Sequence, residues 1–235
     1  MKYINQMAVT DLQQKEQSLD QDVMNSRYFS YGKRILDLVI CISSLILLLP
    51  LIAFISLLIV IGSPGSPIFI QERVGKNGKR FNIYKFRTMQ SNYNSEADRA
   101  FMQAYIAGKI DEDTIDSEVY KPDNKSKITQ FGKVLRITSL DELPQIINIL
   151  KGEMSLIGPR PNVAWEVEKY LDWHCNRLKV LPGITGLAQI RGRSSLTFDD
   201  LVRYDLEYIE NLSFKQDFHI MWSTILMVLR GVGAR

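Results

Sequence analysis

The sequence predicts an α/β chain, mostly helical with one small β-hairpin or sheet, in which a membrane-embedded helical segment precedes a polar domain. Three observations carry this: an apolar run from Ile35 to Ile61, two short alternating segments soon after it, and several stretches with helical apolar spacing in the rest. The 235 residues, 46% hydrophobic and 23% charged, suffice for one sizeable core. A net charge of +3 suits anionic membranes or phosphates and does not call for nucleic acid. Cys41 and Cys175 lie too far apart to suggest a disulfide framework, and His174 and His219 are too few for a histidine zinc site. Chemistry in such a chain falls to carboxylates.

Residues 1–30 are polar, lack a sustained period, and read as a tail rather than a cleavable signal. Residues 31–62 hold the apolar run, long enough to cross about 30 Å of hydrocarbon as one helix. Pro50 interrupts it, leaving about 15 residues before the proline, or roughly 22 Å. Lys33 and Arg34 precede the run, and Arg73, Lys76, Lys79, Arg80, Lys85 and Arg87 follow it, so both ends are drawn to the cytoplasmic face. A re-entrant helix, broken at Pro50 and returning to the same face, satisfies both ends, and a proline-kinked single span is the alternative. Ser43, Ser44 and Ser56 are then expected to satisfy backbone groups freed at the bend.

Residues 63–235 form the cytoplasmic, membrane-associated domain. IFIQERV and RFNIYKF alternate around Gly75, Asn77 and Gly78 and read as a β-hairpin. Residues 91–125 read as a surface insertion, with a helical NSEADRAFMQAYIAG and a solvated acidic run at Asp111, Glu112 and Asp113. Helices are expected around Ile128 to Arg136, Leu143 to Leu150 and Ala164 to Val180, and then over DDLVRYDLEYIENL and KQDFHIMWSTILMVL. Phe218, Met221, Trp222, Ile225 and Leu229 in the last form a stripe that suits either core or a helix lying in the membrane interface.

The stretch from Lys127 to Pro161 is richest in reactive groups. Asp141 and Glu142 open a helix, where unpaired amides and the helix dipole attract anions, and Arg136 stands five residues before Asp141. Ser139-Leu-Asp-Glu142 also fits a capping box, with Pro144 in the first turn. Lys85, Arg87, Arg136, Arg160, Arg191 and Arg193 all sit beside turn signals, where they can converge on an anionic substrate. Gly158-Pro-Arg-Pro161 and Pro182-Gly-Ile-Thr-Gly186 are stiff loops able to present Arg160 and backbone amides to a phosphate.

The ordered blocks KRILDLVI, IFIQERVG, FNIYKFRTM, LRITSLDELPQIINILKGEMSLIGPRP, PGITGLAQIRGR and YDLEYIENLSFKQD resemble the bacterial sugar transferases, the monotopic polyprenyl-phosphate phosphoglycosyl transferases, from Lys33 to Leu229. The resemblance implies a bacterial enzyme on the cytoplasmic face of the cell membrane. It also implies a catalytic and metal-binding dyad at Asp141 and Glu142, with Mg²⁺ as cofactor. In that reaction Asp141 attacks the β-phosphate of a UDP-sugar, expels UMP and carries a phosphosugar that undecaprenyl or another polyprenyl phosphate takes over, the first step of polysaccharide or glycan assembly. Lys85, Arg87, Arg136 and Arg160 are then candidates for phosphate contacts, and Arg191 and Arg193 for the nucleotide or sugar. The partners so implied are the UDP-sugar, the polyprenyl phosphate and the membrane, with a homo-oligomer and downstream glycosyltransferases as further candidates. The chain departs from the family in having Leu49-Pro50 where Ser-Pro is frequent, and in its tail and its 91–125 insertion. A membrane-anchored glycosyltransferase releasing UDP and a non-catalytic membrane assembly protein are the competing readings.

Overall fold

The computed structural model describes residues 31–89, 96–109, 128–192 and 196–230. The acidic run at 111–113, Arg193 and the tail before residue 31 lie outside them.

Helix α1 (Lys33–Gly62) takes up the whole apolar run. Its buried positions, Lys33, Asp37, Cys41, Ile55 and Ile59, recur at helical spacing along its full length. One stripe therefore lies on the polar domain from end to end, while Ile35, Val39, Ile46, Leu47, Phe54 and Ile61 face outward. The helix is long and apolar enough to cross a membrane.

The expected division into helix, break and helix at Pro50 is not seen as two elements, because helical backbone continues through the proline. A proline inside a helix removes one hydrogen bond and bends the axis, and packing on both sides can hold the rest helical. The three serines do not serve the proline either. Ser43, Ser44 and Ser56 bond to the carbonyls of Ile40, Cys41 and Ile52 in their own turns.

Both ends of α1 are tied to the same domain. At the start, Lys33 Nζ meets Asp217 at 2.6 Å, Asp37 accepts from the Leu156 amide at 3.2 Å, and Arg34 donates to the carbonyls of Ile149 and Leu150. At the other end, Arg87 donates to the carbonyls of Ser63 and Pro64.

Strands β1 (Ile68–Val74) and β2 (Arg80–Phe86) form the antiparallel hairpin, with Arg73 opposite Phe81, Gln71 opposite Ile83 and Phe69 opposite Lys85. Asn77 takes the left-handed conformation in the turn, which an asparagine tolerates better than most residues. Phe81 and Ile83 join Cys41, Ile146, Ile149 and Met154 in one core cluster; Phe86 joins Ile55, Ile59 and Leu135 in another. Helix α2 (Glu96–Ile106), from the insertion, docks through Tyr105 and Ile106 on Phe198 and Val202. Helix α3 (Gln130–Ile137) starts at Thr129, whose hydroxyl accepts from the Gly132 amide.

A 3₁₀ segment (Leu140–Gln145) leads into α4 (Ile146–Lys151). Strands β3 (Ser155–Ile157) and β4 (Gly183–Thr185) pair in parallel, a contact the sequence reading took only as two stiff loops. Glycine is required there: a Cβ on Gly183 would lie 2.1 Å from the Gly158 amide nitrogen, so the two loops touch backbone to backbone.

The helix expected over residues 164–180 is not continuous. It resolves into a single turn, α5 (Ala164–Val167), and a 3₁₀ segment (Asp172–Lys179), because the second segment points His174 and Arg177 inward without a helical apolar stripe. Helix α6 (Leu187–Arg191) follows β4, and α7 (Phe198–Glu210) and α8 (Phe214–Leu229) are capped by the side chains of Thr197 and Ser213. Asp217 and Ile220 of α8 face the core, whereas Phe218, Trp222, Ile225 and Leu229 are exposed, so the stripe is an outward apolar face. The chain is therefore membrane-associated in design, with α1 and α8 presenting apolar surfaces a polar solvent would not favour.

Candidate active site

Asp141 and Glu142 sit in the first turn of the 3₁₀ segment, against the face of the hairpin formed by the odd-numbered residues of β2. The capping box does not form. Ser139 takes the left-handed conformation and its side chain caps nothing, while the Glu142 carboxylate is turned across to β2. Glu142 Oε1 receives Lys85 Nζ at 2.6 Å and lies 3.6 Å from Arg160 Nη1. The carboxylate of Asp141 makes no hydrogen bond or ion pair with the described residues.

The two adjacent acids are thus differently placed. Burial and the neighbouring Glu142 charge push Asp141 above its ordinary range, while Lys85, Arg136 and Arg160 pull it back. Lys85 is itself held below the usual lysine range by burial and by Arg160, with Glu142 opposing. A nucleophile needs a lone pair that nothing else occupies, and Asp141 has one.

A carboxylate attacks phosphorus only when ionised, and the ionisation of Asp141 lies above the ordinary aspartate value of about 3.9. The acid limb of kcat/KM is therefore expected above that value. Arg136→Gln removes a cation that favours the carboxylate and should move the limb to still higher pH; an unmoved or lowered limb in this variant contradicts the assignment.

The structure brings Lys85, Arg136 and Arg160 together with the dyad. Arg136 is held by its Nε on the Thr88 hydroxyl at 3.0 Å. Arg87 is diverted: its guanidinium closes the exit of α1. Arg191 lies over the Tyr204 ring at 5.8 Å and contacts neither acid. Pro50 belongs to α1, whose following turns, at Ile52, Ile55 and Ile59, share a core cluster with Leu140 and Leu143 of the segment that carries the dyad.

Two arginines missed by sequence reasoning complete the surroundings. Arg177 is fully buried in an ion pair with Asp205 and donates to Asn162 Oδ1, the Tyr170 hydroxyl and the Arg160 carbonyl, which fixes the loop carrying Arg160. Arg73 donates to the Pro161 carbonyl at 3.1 Å from the other side of that loop. The signal for Arg73 was the register: apolar Phe81 and Ile83 face Arg73 and Gln71, so that side of the hairpin is covered. Arg177 gave no such signal.

Among the described residues no group of three or more His, Cys, Asp or Glu could cage a metal. Mg²⁺ commonly takes only one or two carboxylates and completes its shell with water and substrate phosphate, which the adjacent Asp141 and Glu142 suit.

A free carboxylate among cations, on a domain backed by an apolar helix, defines a membrane-associated protein suited to a phosphate-bearing substrate. Residues 28–231 match the family described as bacterial sugar transferase. The chain belongs to that family, and its class is that of a transferase. It is 41% identical over 172 residues to galactosyl transferase CpsE of Streptococcus agalactiae, covering 73% of this chain and 36% of that one. It is 37% identical to the undecaprenyl-phosphate galactose phosphotransferase of Salmonella typhimurium, over 91% of this chain and 44% of the relative. It is also 37% identical to the exopolysaccharide production protein ExoY of Sinorhizobium fredii, over 86% and 88%. The chain thus spans less than half the length of the first two and most of the third.

Proposed function

We propose that the protein transfers a sugar 1-phosphate from a UDP-sugar to a polyprenyl phosphate such as undecaprenyl phosphate, as the first step of polysaccharide or glycan assembly. The supporting observation is the unpartnered Asp141 carboxylate beside a Glu142 already engaged by Lys85. An Asp141 oxygen attacks the β-phosphorus of the donor. The bond from that phosphorus to the bridging oxygen breaks, and UMP departs with the electron pair. A phosphate oxygen of the polyprenyl acceptor then attacks the same phosphorus and releases the Asp141 carboxylate, giving a polyprenyl diphosphosugar. Lys85 and Arg160 hold Glu142 and offer positive charge to the equatorial oxygens, and Arg136 keeps Asp141 ionised. Asp141 and Glu142 would hold Mg²⁺, which would supply charge neutralisation of the diphosphate.

The related proteins' names support this substrate class: one is an undecaprenyl-phosphate galactose phosphotransferase of Salmonella, another a UDP-N-acetylgalactosamine-undecaprenyl-phosphate N-acetylgalactosaminephosphotransferase of Aeromonas hydrophila. The test is to incubate purified protein with Mg²⁺, polyprenyl phosphate and a panel of UDP-sugars. UMP is expected; UDP would indicate glycosyl transfer without phosphate, and no nucleotide product at all an assembly role.

We also place α1 in one leaflet, bent at Pro50, with both ends on the cytoplasmic side. Support comes from the attachment of both ends to one polar domain, which a straight span across the bilayer would not allow. Single cysteines replacing Tyr31 and Gly78, in a background with Cys41 and Cys175 changed to serine, should both react with an impermeant maleimide from the cytoplasmic side alone. Labelling of the two from opposite sides would mean a full span.

A further inference from the structure

Arg73 is half-buried in β1, and part of its guanidinium is enclosed. A guanidinium carries five N–H donors. Among the described residues Arg73 uses two, one on the Pro161 carbonyl at 3.1 Å and one on Gln71 Oε1 at 2.7 Å. Its Nε is buried without a partner, and no carboxylate among the described residues forms an ion pair with it. An enclosed N–H donor is normally paired, since it has given up its water. Burial and the Arg160 cation hold Arg73 down to about 10, still charged at neutral pH, with the Glu166 and Glu142 carboxylates opposing them.

The hairpin register fixes where Arg73 stands. Arg73 opposes Phe81 and Lys85 opposes Phe69, so both leave the same face, separated by four residues or roughly 13 Å along the strands. Lys85 is beside the dyad. Arg160, with its side chain 52% exposed, is within electrostatic reach of both. Arg73 and Arg160 also share one rigid loop, Gly158 to Pro161, gripped through its carbonyls by Arg73 and Arg177.

We propose that Arg73 and Arg160 together bind the phosphate that leaves with the nucleotide, forming a nucleoside monophosphate site beyond the reacting phosphorus. This rests on the phosphotransfer reading above. A phosphate between the two guanidiniums takes up their spare donors in forked, charge-assisted bonds and neutralises the excess cation. When the bond from the β-phosphorus to the bridging oxygen breaks, its electron pair passes to the α-phosphate, and charge grows where these arginines stand.

Full-length protein in lipid nanodiscs is the material for the test. Wild-type release of UMP from a UDP-sugar first establishes phosphotransfer; if no UDP-sugar yields UMP, the phosphotransfer reading itself fails. With UMP release established, equilibrium dialysis measures UMP affinity, and preloaded phosphosugar enzyme reports the rate of discharge to polyprenyl phosphate, a step from which the nucleotide has gone. Arg73→Gln should weaken UMP binding about tenfold or more and slow discharge by a clearly smaller factor, the latter through the Arg160 loop that Arg73 grips. Arg160→Gln should weaken UMP binding similarly, and the double variant should lose less than the product of the two, as groups on one phosphate do. Unchanged UMP affinity in Arg73→Gln, an equal fall in affinity and discharge, or strictly multiplicative losses would overturn the inference. Should Arg73→Gln fail to fold, Arg73→Lys keeps the charge without the fork. An intermediate loss of UMP affinity then supports the site, and unchanged affinity overturns it.

Discussion

Replacing Asp141 by asparagine is expected to reduce UMP release by a thousandfold or more while leaving the protein folded and in the membrane fraction. The amide preserves shape but offers no anionic oxygen to phosphorus, and loss of a nucleophile typically costs that much or more, on the order of 10³ to 10⁶. The same variant should be slightly more stable than wild type. Because burial and Glu142 raise Asp141 above its ordinary value, its contribution to stability is present at low pH and lost as pH rises through the raised value. At neutral pH the wild type therefore holds a disfavoured charge, and asparagine relieves it. A higher melting temperature together with lost turnover is the expected pair. A drop in stability with turnover retained would mean that Asp141 is a structural acid. Asparagine serves as well as aspartate in a helix cap, so a capping role would lose neither property.

The second large effect lies away from the dyad. Asp205→Ala strips the buried Arg177 of its carboxylate while leaving the guanidinium fully enclosed. Breaking one side of a buried ion pair costs about 3–5 kcal/mol, which in a protein of this size lowers the melting temperature by about 10 °C. Turnover should fall as well, because Arg177 also holds the Arg160 carbonyl, Asn162 and Tyr170 in place. Arg203→Met serves as the control: its ion pair with Asp200 spans 3.4 Å with the arginine largely exposed, and pairs of that kind contribute about 0–1 kcal/mol. Thermal melts of both variants in the same detergent decide it. Equal shifts would show that the Asp205–Arg177 pair does not anchor the fold.

The elements that depend on period were legible in the sequence. The hairpin showed through its alternation, and α7 and α8 through their helical apolar spacing. What period cannot reveal was missed. The parallel strands β3 and β4 are three residues each, too short to alternate, and they depend on glycines that allow two backbones to touch. The stretch from Ala164 to Val180 carries helix-forming residues, yet its inward groups are His174 and Arg177, which follow polar partners rather than a stripe.

Within the site, Lys85, Arg136 and Arg160 stand around the two acids. Arg87 does not, because, just past the end of β2, it faces the carbonyls that close α1. Whether an arginine meets substrate or backbone depends on which loop ends beside it, and that is a tertiary fact. The dyad's asymmetry is tertiary too: Ser139 and Glu142 offer a local cap, and the ammonium of Lys85, 57 residues earlier in the chain, draws Glu142 away from it.

The central claim is that Asp141 carries phosphorus during turnover. Incubation with UDP-sugar alone, followed by digestion and mass measurement of the peptide spanning position 141, tests it directly. The expected result is a phosphohexose adduct on Asp141, formed with up to one equivalent of UMP and discharged when polyprenyl phosphate is added. A turning-over enzyme whose peptide never gains that mass would contradict it.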